Sequence, residues 1–354
     1  MGVAGPGRWK GDVALMPTAA VDFEYHTDDF AGSRVLVTGA SGVLGSGVAR
    51  ALVQAGADVT VLQRSASGLD GVQEIRGSVT DPNAVARAVA DADSVVHIAA
   101  KVSVSGPREE YEHVNIGGTR TLLSAAQQAG VSRWVHISSP SVAHSGASII
   151  GEGAGPANPE AARGHYAMTK AAGELLALAA DSDDFRVLVL RPHLMWGPGD
   201  TQLTERIIDR ARRHRLPLLD GGTALVDTLF LVNAVEAVVA GLTAVHRTHG
   251  EALVLTNGQP RPIGEMLRRI ATAGGAHEPT LNLPSGLAKT AGSVIESFWN
   301  AEKRGDEPPL TRFLAEQMST AHWFDQRRTQ QVLDWKPRIS LEEGFRLTAQ
   351  YYQR

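Results

Sequence analysis

The sequence predicts an α/β protein with a doubly wound parallel sheet and a smaller, mostly C-terminal lobe. From Arg34 onward, short apolar runs alternate with segments whose apolar residues recur at helical spacing. This alternation is typical of parallel sheets with right-handed crossovers. A glycine-rich turn joins the first predicted strand to the first predicted helix, and the alternation loosens after Arg191. The lobe is expected to follow that point.

Each element is predicted from its own pattern. "RVLVTGA" is a β-branched run ending in glycine and is predicted to be a buried strand. The next helix has Leu44 and Leu52 on one face and Gly56 just beyond its end. The further predicted strands are DVTVLQR, SVVHIAA, RWVHISS, FRVLVLRP and EALVLTN. The further predicted helices are DPNAVARAVADA, EEYEHVNIGGTRTLLSAAQQAG, YAMTKAAGELLALAA, LTERIIDRARRHR and SLEEGFRLTAQYY, the last with a capping box at Ser340 and Glu343. LVDTLFLVNAVEAVVAGL is predicted to be a strand followed by a helix.

These patterns suggest a division of the chain. Residues 1–32 show no clear periodicity and are predicted to be an N-terminal extension. Residues 33–190 carry the alternating pattern and are predicted to form a dinucleotide-binding (Rossmann) domain, to which 226–257 returns. Residues 191–225 and 258–354 are expected to form the substrate-binding lobe.

Composition excludes several classes of function. The 354 residues include no cysteine, which rules out disulfides, thiol catalysis and cysteine-ligated metals. The twelve histidines show no ligand-like spacing, so no metal site is expected. The net charge of −4 and the lack of a basic stripe argue against nucleic acid as a partner. No run is long and apolar enough for a transmembrane segment, and the N-terminus is a poor signal peptide. A cytoplasmic protein is expected.

The glycine-rich turn "VTGASGVLG" has Gly39, Gly42 and Gly45 between a strand and a helix. Glycines there allow a tight turn and let the backbone approach a pyrophosphate, while the helix N-terminus offers N–H donors. Glycine-rich turns are common, and a purely structural turn is the alternative. The strand–turn–helix context favours a dinucleotide site.

The end of the second strand indicates which dinucleotide binds. A carboxylate at this position would hold the 2′-hydroxyl of NAD, but the sequence has Gln63, followed by Arg64 and Ser65. Arg64 can pair with a 2′-phosphate. The sequence therefore favours NADP(H) over NAD(H), with an Arg64 that simply points into solvent as the alternative.

The stretch "GHYAMTK" places Tyr166 four residues before Lys170, and residues four apart share a helix face. Taken alone, this is an ordinary surface pair. Ser139 ends a predicted strand, and ligands of such sheets bind beyond the carboxyl ends of the strands. Together with the glycine-rich turn, this placement favours a functional set over a surface pair. A neighbouring ammonium and an oxidised nicotinamide would both favour the phenolate and so lower the tyrosine pKa.

The chain from about Arg34 to its end resembles the extended short-chain dehydrogenase/reductase superfamily. The residues that carry the resemblance are "TGASGVLG", "VVHIAA", "NIGGTRTLL", "HISSPSVA", "YAMTK" and "LRPHLMWGPGD", in the expected order. The segments "ALVLTNGQPRPIGEML" and "LTRFLAEQMSTAHWFDQRRTQQVLDWKPRISLEEGFRLTAQYY" are similar to the 3β-hydroxysteroid dehydrogenase/isomerase-like branch. The resemblance also implies a homodimer through two sheet-flanking helices.

The resemblance implies functional residues. The implied catalytic residues are Ser139, Tyr166, Lys170 and Asn115. The implied cofactor-binding residues are Gly39, Ser41, Gly42, Val43, Leu44, Gly45, Gln63, Arg64, Ser65, Ser78, Val79, Ala99, Ala100, Lys101, Tyr166, Lys170, Pro192, His193 and Leu194. The candidate substrate contacts are Ser139, Ser141, His144, Met195 and Trp196. Ser78 departs from the family, which often has Asp there to bond adenine. His97 and His136 are expected to be core residues, and His193 to lend its backbone to the nicotinamide carboxamide.

The resemblance implies an NAD(P)-dependent oxidoreductase that interconverts a secondary alcohol and a ketone on a hydrophobic small molecule. Steroid-like, 3-keto acid and polyketide-like substrates all fit. A nucleotide-sugar epimerase or dehydratase is the alternative, although dehydratases have Thr-Asp-Glu where this chain has Ser139, Pro140 and Ser141. A non-catalytic NADPH sensor is a third hypothesis, disfavoured because the Ser–Tyr–Lys set is complete.

Overall fold

The structure is a computed structural model that describes residues 30–103, 106–301 and 312–353. Most of the predicted extension over 1–32 lies outside the described residues. The strands are β1 Arg34–Thr38, β2 Asp58–Gln63, β3 Val72–Arg76, β4 Ser94–His97, β5 Arg133–Ile137, β6 Ile149–Glu152, β7 Arg186–Pro192, β8 Met195–Trp196, β9 Leu218–Leu219, β10 Leu225–Val226, β11 Leu229–Phe230, β12 Glu251–Leu255, β13 Arg261–Pro262, β14 Asn282–Leu283 and β15 His322–Phe324. The helices are α1 Val43–Gln54, α2 Pro82–Val89, α3 Arg108–Tyr111, α4 Thr119–Gln128, α5 Gly164–Ala179, α6 Thr204–Arg212, α7 Leu231–Ala244, α8 Ile263–Ala273, α9 Ser285–Ala301, α10 Arg312–Ser319, α11 Arg327–Leu333 and α12 Leu341–Tyr352.

A seven-stranded parallel sheet organises the fold, in the order β12-β7-β5-β4-β1-β2-β3. The pairing runs outward from β1, which contacts β2 on one side and β4 on the other. One buried apolar cluster packs α1 and α7 against one face of the sheet, and a second packs α2 and α4 against the other. The predicted doubly wound α/β class is confirmed.

Two elements of the fold, an edge strand and a π-helical segment, differ from the sequence prediction. β3 is an edge strand with no fully buried residue, and "VQEIR" contains no apolar run that would predict a strand. The helix predicted between the fourth and fifth sheet strands is interrupted: α3 passes into a π-helical segment, Glu112–Gly118, before α4 begins. Such wide turns occur frequently at functional sites.

A smaller sheet, β13-β10-β15-β6, joins the C-terminal residues to the loop after β5. His322 of β15 pairs with Ile149 of β6, which brings residues far apart in sequence next to each other. β12 pairs with β7, so Glu251–Leu255 belongs to the main sheet. At the last helix, the Ser340 side chain accepts the N–H of Glu343, which is one half of the predicted capping box, while the Glu343 carboxylate pairs with Arg346. No helix in the described ranges is long and apolar enough to cross a membrane.

Candidate active site

The strand order leaves a crevice at the carboxyl ends of β1 and β4. From this point the chain adds β2 and β3 on one side of β1, and β4, β5 and β7 on the other. Gly39 follows β1 and Ala99 follows β4, and the two backbones lie in close contact there. A Cβ on Gly39 would lie 2.9 Å from the backbone nitrogen of Ala99, and its φ of +79° also favours glycine. The first glycine of the motif therefore lets β1 turn immediately beside β4.

The glycine-rich turn forms a cradle for an anion. A Cβ on Gly45 would lie 2.3 Å from the carbonyl oxygen of Gly39, so this helix position requires glycine. The first backbone bond of α1 runs from Ser46 N–H to Gly42 O. The N–H groups of Val43, Leu44 and Gly45 are therefore left without helical acceptors at the positive end of the helix. Ser41 is exposed in the same turn. These groups fit the pyrophosphate of a dinucleotide.

The end of β2 contains an unpaired acceptor. The Gln63 side chain is buried, and its Oε1 has no hydrogen-bond partner among the described residues. Its Nε2 donates to Glu74 Oε2 at 3.2 Å. A buried acceptor without a partner is costly, and a ribose hydroxyl would satisfy it. Arg64 and Ser65 follow as exposed residues.

Glu74 was missed by the sequence reasoning, because it lies on the unpredicted strand β3. Its Oε2 accepts the backbone N–H and the hydroxyl of Ser67, both at 2.7 Å, and its Oε1 accepts from Arg76. The bonds from Ser67, followed by that from Arg76, lower the pKa of Glu74 to about 2. The carboxylate therefore holds the loop that carries Arg64 while remaining charged.

Ser78 and Val79, which are expected to bind the adenine side of the dinucleotide, lie between β3 and α2. The Ser78 hydroxyl bonds Thr80 Oγ1 at 2.8 Å, within the turn that leads into α2. Val79 is buried against Gly118, where a Cβ on the glycine would lie 2.7 Å from the valine side chain. Val79 thus supports packing between the π segment and this turn.

Asn115 connects the π segment to the loop after β4. Its Oδ1 accepts the N–H of Lys101 at 2.8 Å, and its Nδ2 donates to the Lys101 carbonyl at 3.2 Å. The Lys101 ammonium pairs with Glu110 at 2.7 Å. Ala99, Ala100 and Lys101 are therefore fixed mainly through their backbone, at the edge of the crevice.

Ser139 and Tyr166 meet beyond the end of β5. Ser139 Oγ accepts from the Ser141 backbone N–H at 3.3 Å and from the Ser141 hydroxyl at 2.9 Å. Since both of its lone pairs are used, its own proton is available to the Tyr166 hydroxyl or to a substrate oxygen. Burial raises the pKa of Tyr166 to about 12, although the bond to Ser139 opposes this. In the protein alone, burial thus outweighs the bond to Ser139, and the lowering expected from Lys170 together with an oxidised nicotinamide stays a prediction for the complex.

Lys170 lies one turn further along α5 and is only 5% exposed. Its Nζ donates to the Ile137 carbonyl at 2.5 Å. Burial lowers the pKa of Lys170 to about 8, while the Glu174 carboxylate acts in the opposite direction. An ammonium has three donors, so further donors remain beyond the bond to Ile137. They suit the ribose hydroxyls of a dinucleotide.

The end of β7 narrows one expectation. The backbone N–H of His193 donates to Leu255 O at 3.1 Å, so only its carbonyl could meet the amide N–H of a nicotinamide carboxamide, and the predicted backbone contact stays a prediction. Its ring Nδ1 donates to the Asp227 carbonyl at 2.7 Å, and burial lowers the pKa of His193 to about 4. Pro192 has no N–H. Leu194 has a φ of +42°, an uncommon conformation for a residue other than glycine.

Some of the predicted substrate contacts lie near Ser139 and others do not. Ser141 lies beside Ser139, and buried His144 approaches His322 with 3.0 Å between their Nε2 atoms. His322 was missed because only the pairing of β15 with β6 brings it there. Met195 is half-buried.

Trp196 is a correction. Its side chain is fully buried, its indole N–H donates to Thr228 Oγ1 at 3.0 Å, and its ring packs on Phe230 and Phe345. The residue is part of the core, which removes it from the candidate substrate contacts.

The chain is similar to known reductases and dehydrogenases. The chain is 36% identical over 326 residues to a 2-alkyl-3-oxoalkanoate reductase of Stenotrophomonas maltophilia, covering 88% of this chain and 97% of that protein. It is 28% identical over 339 residues to a 3-beta-hydroxysteroid dehydrogenase of Mycolicibacterium neoaurum, covering 90% of this chain and 91% of that protein. The solved structure of MoeE5 in complex with UDP-glucose and NAD aligns with a TM-score of 0.70 and 25% identity, over 91% of this chain and 99% of that chain.

The model of the NAD dependent epimerase/dehydratase family matches residues 35–255, which include the glycine-rich turn and the Ser–Tyr–Lys set. The chain belongs to the NAD dependent epimerase/dehydratase family and is an NAD(P)-dependent enzyme.

Proposed function

We propose that the protein is an oxidoreductase that reduces a ketone on a hydrophobic small molecule, or oxidises the corresponding secondary alcohol, with NADP(H) favoured over NAD(H). One observation carries the proposal. The Tyr166 hydroxyl lies beside Ser139, with the buried ammonium of Lys170 on the next helical turn, at the end of the sheet where the dinucleotide cradle opens.

Each side chain has a distinct task in reduction. The nicotinamide, when bound, supplies the hydride that forms the new C–H bond at the carbonyl carbon. Tyr166, held protonated by its raised pKa, gives its proton to the carbonyl oxygen. The Ser139 hydroxyl donates a hydrogen bond to the same oxygen as charge develops there. Lys170 holds the ribose and stabilises the phenolate left on Tyr166 until solvent restores the proton.

Support for the substrate class comes from the relatives. Those named above are a 2-alkyl-3-oxoalkanoate reductase and a 3-beta-hydroxysteroid dehydrogenase, whose names give an alkyl-substituted 3-oxo acid and a hydroxysteroid as substrates. A 3-keto acid is the first class to test, followed by steroid-like and polyketide-like ketones. A nucleotide-sugar epimerase is less favoured, because these relatives are oxidoreductases.

The substrate proposal is tested by following NADPH oxidation with 3-oxoalkanoic acids, 3-oxosteroids and UDP-sugars as parallel substrates. We expect turnover of at least one ketone class and none of the sugars. Purified protein that retains NAD(H) and interconverts UDP-sugars without net oxidation would contradict the proposal and favour the epimerase. Tight NADPH binding without turnover of any ketone would favour the sensor.

The NADP(H) preference is supported by the neutral Gln63 and the exposed Arg64 at the end of β2. Arg64→Asp should weaken NADP⁺ binding on the order of tenfold or more, since it removes a phosphate partner and adds a repelling charge. Titration calorimetry with NADP⁺ and NAD⁺ measures the change. Arg87→Asp, at an exposed position of α2, is the matched control and should change neither affinity. Equal affinities of wild type for both dinucleotides would disprove the preference.

The proposal includes a homodimer that acts in the cytoplasm. The half-exposed Leu175 on α5 offers an apolar contact on a helix that flanks the sheet. Light scattering behind size-exclusion chromatography should give twice the chain mass, and Leu175→Glu should give the monomer. A wild-type protein that is monomeric throughout would exclude this assembly.

A further inference from the structure

A chain of buried polar side chains runs beneath the proposed active site. It begins at Thr38, the last residue of β1 before the glycine-rich turn, and ends in the first turn of α5. Each member is at most 3% exposed, and buried polar groups of this kind are nearly always hydrogen-bonded. The members are Thr38, His97, Thr119, Asn115 and Thr169.

The direction of the first bond is fixed by Thr38. Its Oγ1 accepts the backbone N–H groups of Ile98 and Ala99, both at 3.1 Å. Because these two donors use both lone pairs of the hydroxyl, its own O–H must point to His97 Nδ1, 2.8 Å away. Nδ1 is therefore an acceptor and carries no proton.

The proton of His97 consequently lies on Nε2. That nitrogen is 3.1 Å from Thr119 Oγ1, to which it donates. The Thr119 hydroxyl in turn donates to the Asn115 carbonyl at 2.7 Å, since a carbonyl can only accept. A ring protonated on both nitrogens would point a second N–H at Thr38 Oγ1, whose lone pairs are already used. The surroundings thus accept one form of the ring.

The groups around His97 also oppose its protonation. Burial, together with the nearby Lys170 ammonium, lowers the pKa of His97 to about 3. The centroid of the His97 ring lies 5.5 Å from that of Trp134 and 5.4 Å from that of His136, and both of these residues are on β5. Burial also lowers the pKa of His136 well below its usual value. No carboxylate among the described residues contributes to the shift of His97.

The last bonds carry the chain to the catalytic helix. The Asn115 amide is oriented by Lys101, whose N–H requires the oxygen on its side. The opposite nitrogen therefore donates to Thr169 Oγ1 at 3.0 Å, and the Thr169 hydroxyl donates to His165 O at 2.7 Å. His165 directly precedes Tyr166. The helices approach closely here, since a Cβ on Gly173 would lie 2.7 Å from the Asn115 carbonyl.

We propose that His97, as the neutral ring with its proton on Nε2, is a positioning residue that fixes the π segment around Asn115 against the turn of α5 carrying Tyr166. The consequence for catalysis rests on the proposed oxidoreductase function. His97 contacts neither substrate nor dinucleotide in this role. It acts through Thr119 and Asn115, and it makes the position of Tyr166 depend on the strand that leads into the glycine-rich turn.

The state of the ring is tested first, without turnover. Long-range ¹H–¹⁵N NMR spectra of the full chain, with the His97 signal assigned through His97→Gln, should show the Nε2–H tautomer. The signal should stay unchanged between about pH 5.5 and 8.5, since unperturbed histidine titrates near 6.5. An Nδ1–H tautomer, or titration within that range, would overturn the proposal whether or not the protein reduces ketones.

The positioning role is tested by Thr119→Val, which keeps the side-chain shape but removes the hydroxyl that bridges His97 Nε2 and the Asn115 carbonyl. We expect kcat to fall on the order of tenfold, because small misplacements of catalytic groups are costly, with the Kd for the dinucleotide unchanged. Thr119→Ser keeps the hydroxyl and should recover most of the loss.

A matched control separates positioning from stability. Thr348 is equally buried and donates the same bond, four residues back to Gly344 O at 2.8 Å, in the distant helix α12. Thr348→Val should lower the melting temperature about as much as Thr119→Val and leave kcat unchanged. Equal kcat in wild type and Thr119→Val, or equal loss in both valine variants, would overturn the positioning role. A wild type inactive on every ketone would instead count against the proposed function.

Discussion

Two successive turns of α5 carry buried charges that are treated in opposite ways. Glu174, four residues after Lys170, is fully buried and meets the guanidinium of Arg191 through two hydrogen bonds. Arg191 also donates to the carbonyls of Ala154 and Gly155. Lys170 is almost as buried, but its ammonium donates to a neutral group, the backbone carbonyl of Ile137.

The difference shows how one helix serves structure and chemistry together. The Glu174–Arg191 pair is satisfied within the protein, and it ties α5 to β7 and to the loop around Ala154. Lys170 keeps donors in reserve, and its depressed pKa shows that burial is not fully compensated. A charge kept partly unsatisfied in this way is typical of functional sites. Three substitutions along α5 and β7 test the comparison.

The largest effect is expected at Tyr166, where the turn of α5 nearest the cleft carries the proton donor. Tyr166→Phe should lower kcat by about 10³-fold or more, since a general acid contributes roughly 10²–10⁴-fold and Ser139 cannot replace it. Dinucleotide Kd should change little. Steady-state kinetics with the best ketone, together with a binding titration, measure both. Near-normal turnover in this variant would exclude Tyr166 as the acid.

The second largest effect is expected at the buried ion pair between Glu174 and Arg191. Arg191→Met should lower the free energy of unfolding by about 3–5 kcal/mol, because it leaves Glu174 buried without its partner. Chemical denaturation measures the loss. Arg328→Met, which breaks the more exposed pair with Glu251, is the matched control and should cost at most about 1 kcal/mol. Similar losses for the two variants would contradict the contrast between buried and exposed pairs.

The smallest effect is expected at Lys170, and here the substitution should raise the free energy of unfolding instead of lowering it. Lys170→Met should raise the free energy of unfolding at pH 7 by about 1–3 kcal/mol, since a lysine whose pKa falls to about 8 is destabilised in its charged form. The folded state releases the proton near pH 8 and the unfolded state near 10.4, so wild-type stability should rise relative to the variant across that window. Denaturation at pH 7 and pH 10 measures the difference. A less stable variant at pH 7 would show that Lys170 supports the fold.

Much of the fold could be predicted because its strands are apolar on both faces and its turns carry glycine. β1, β5 and β7 show this pattern, and each was found at its predicted place. β3 escaped because an edge strand needs little apolar surface. The π segment escaped because its residues are compatible with an ordinary helix. Its wider turn depends on contacts made by Asn115 with the loop after β4 and with Thr169 of α5.

The site divides in the same way. The sequence by itself determined the positions where local chemistry is decisive: the glycine turn, the Tyr166–Lys170 spacing and the serine at the end of β5. Only the tertiary structure decided that Trp196 belongs to the core, that the N–H of His193 is already used, and that Glu74 and His322 lie near the site. It also decided the tautomer of His97. The physical reason is that a residue's spacing within a helix or turn is set locally, whereas the partner of a buried polar group is set by strands and helices that meet only when the chain has folded.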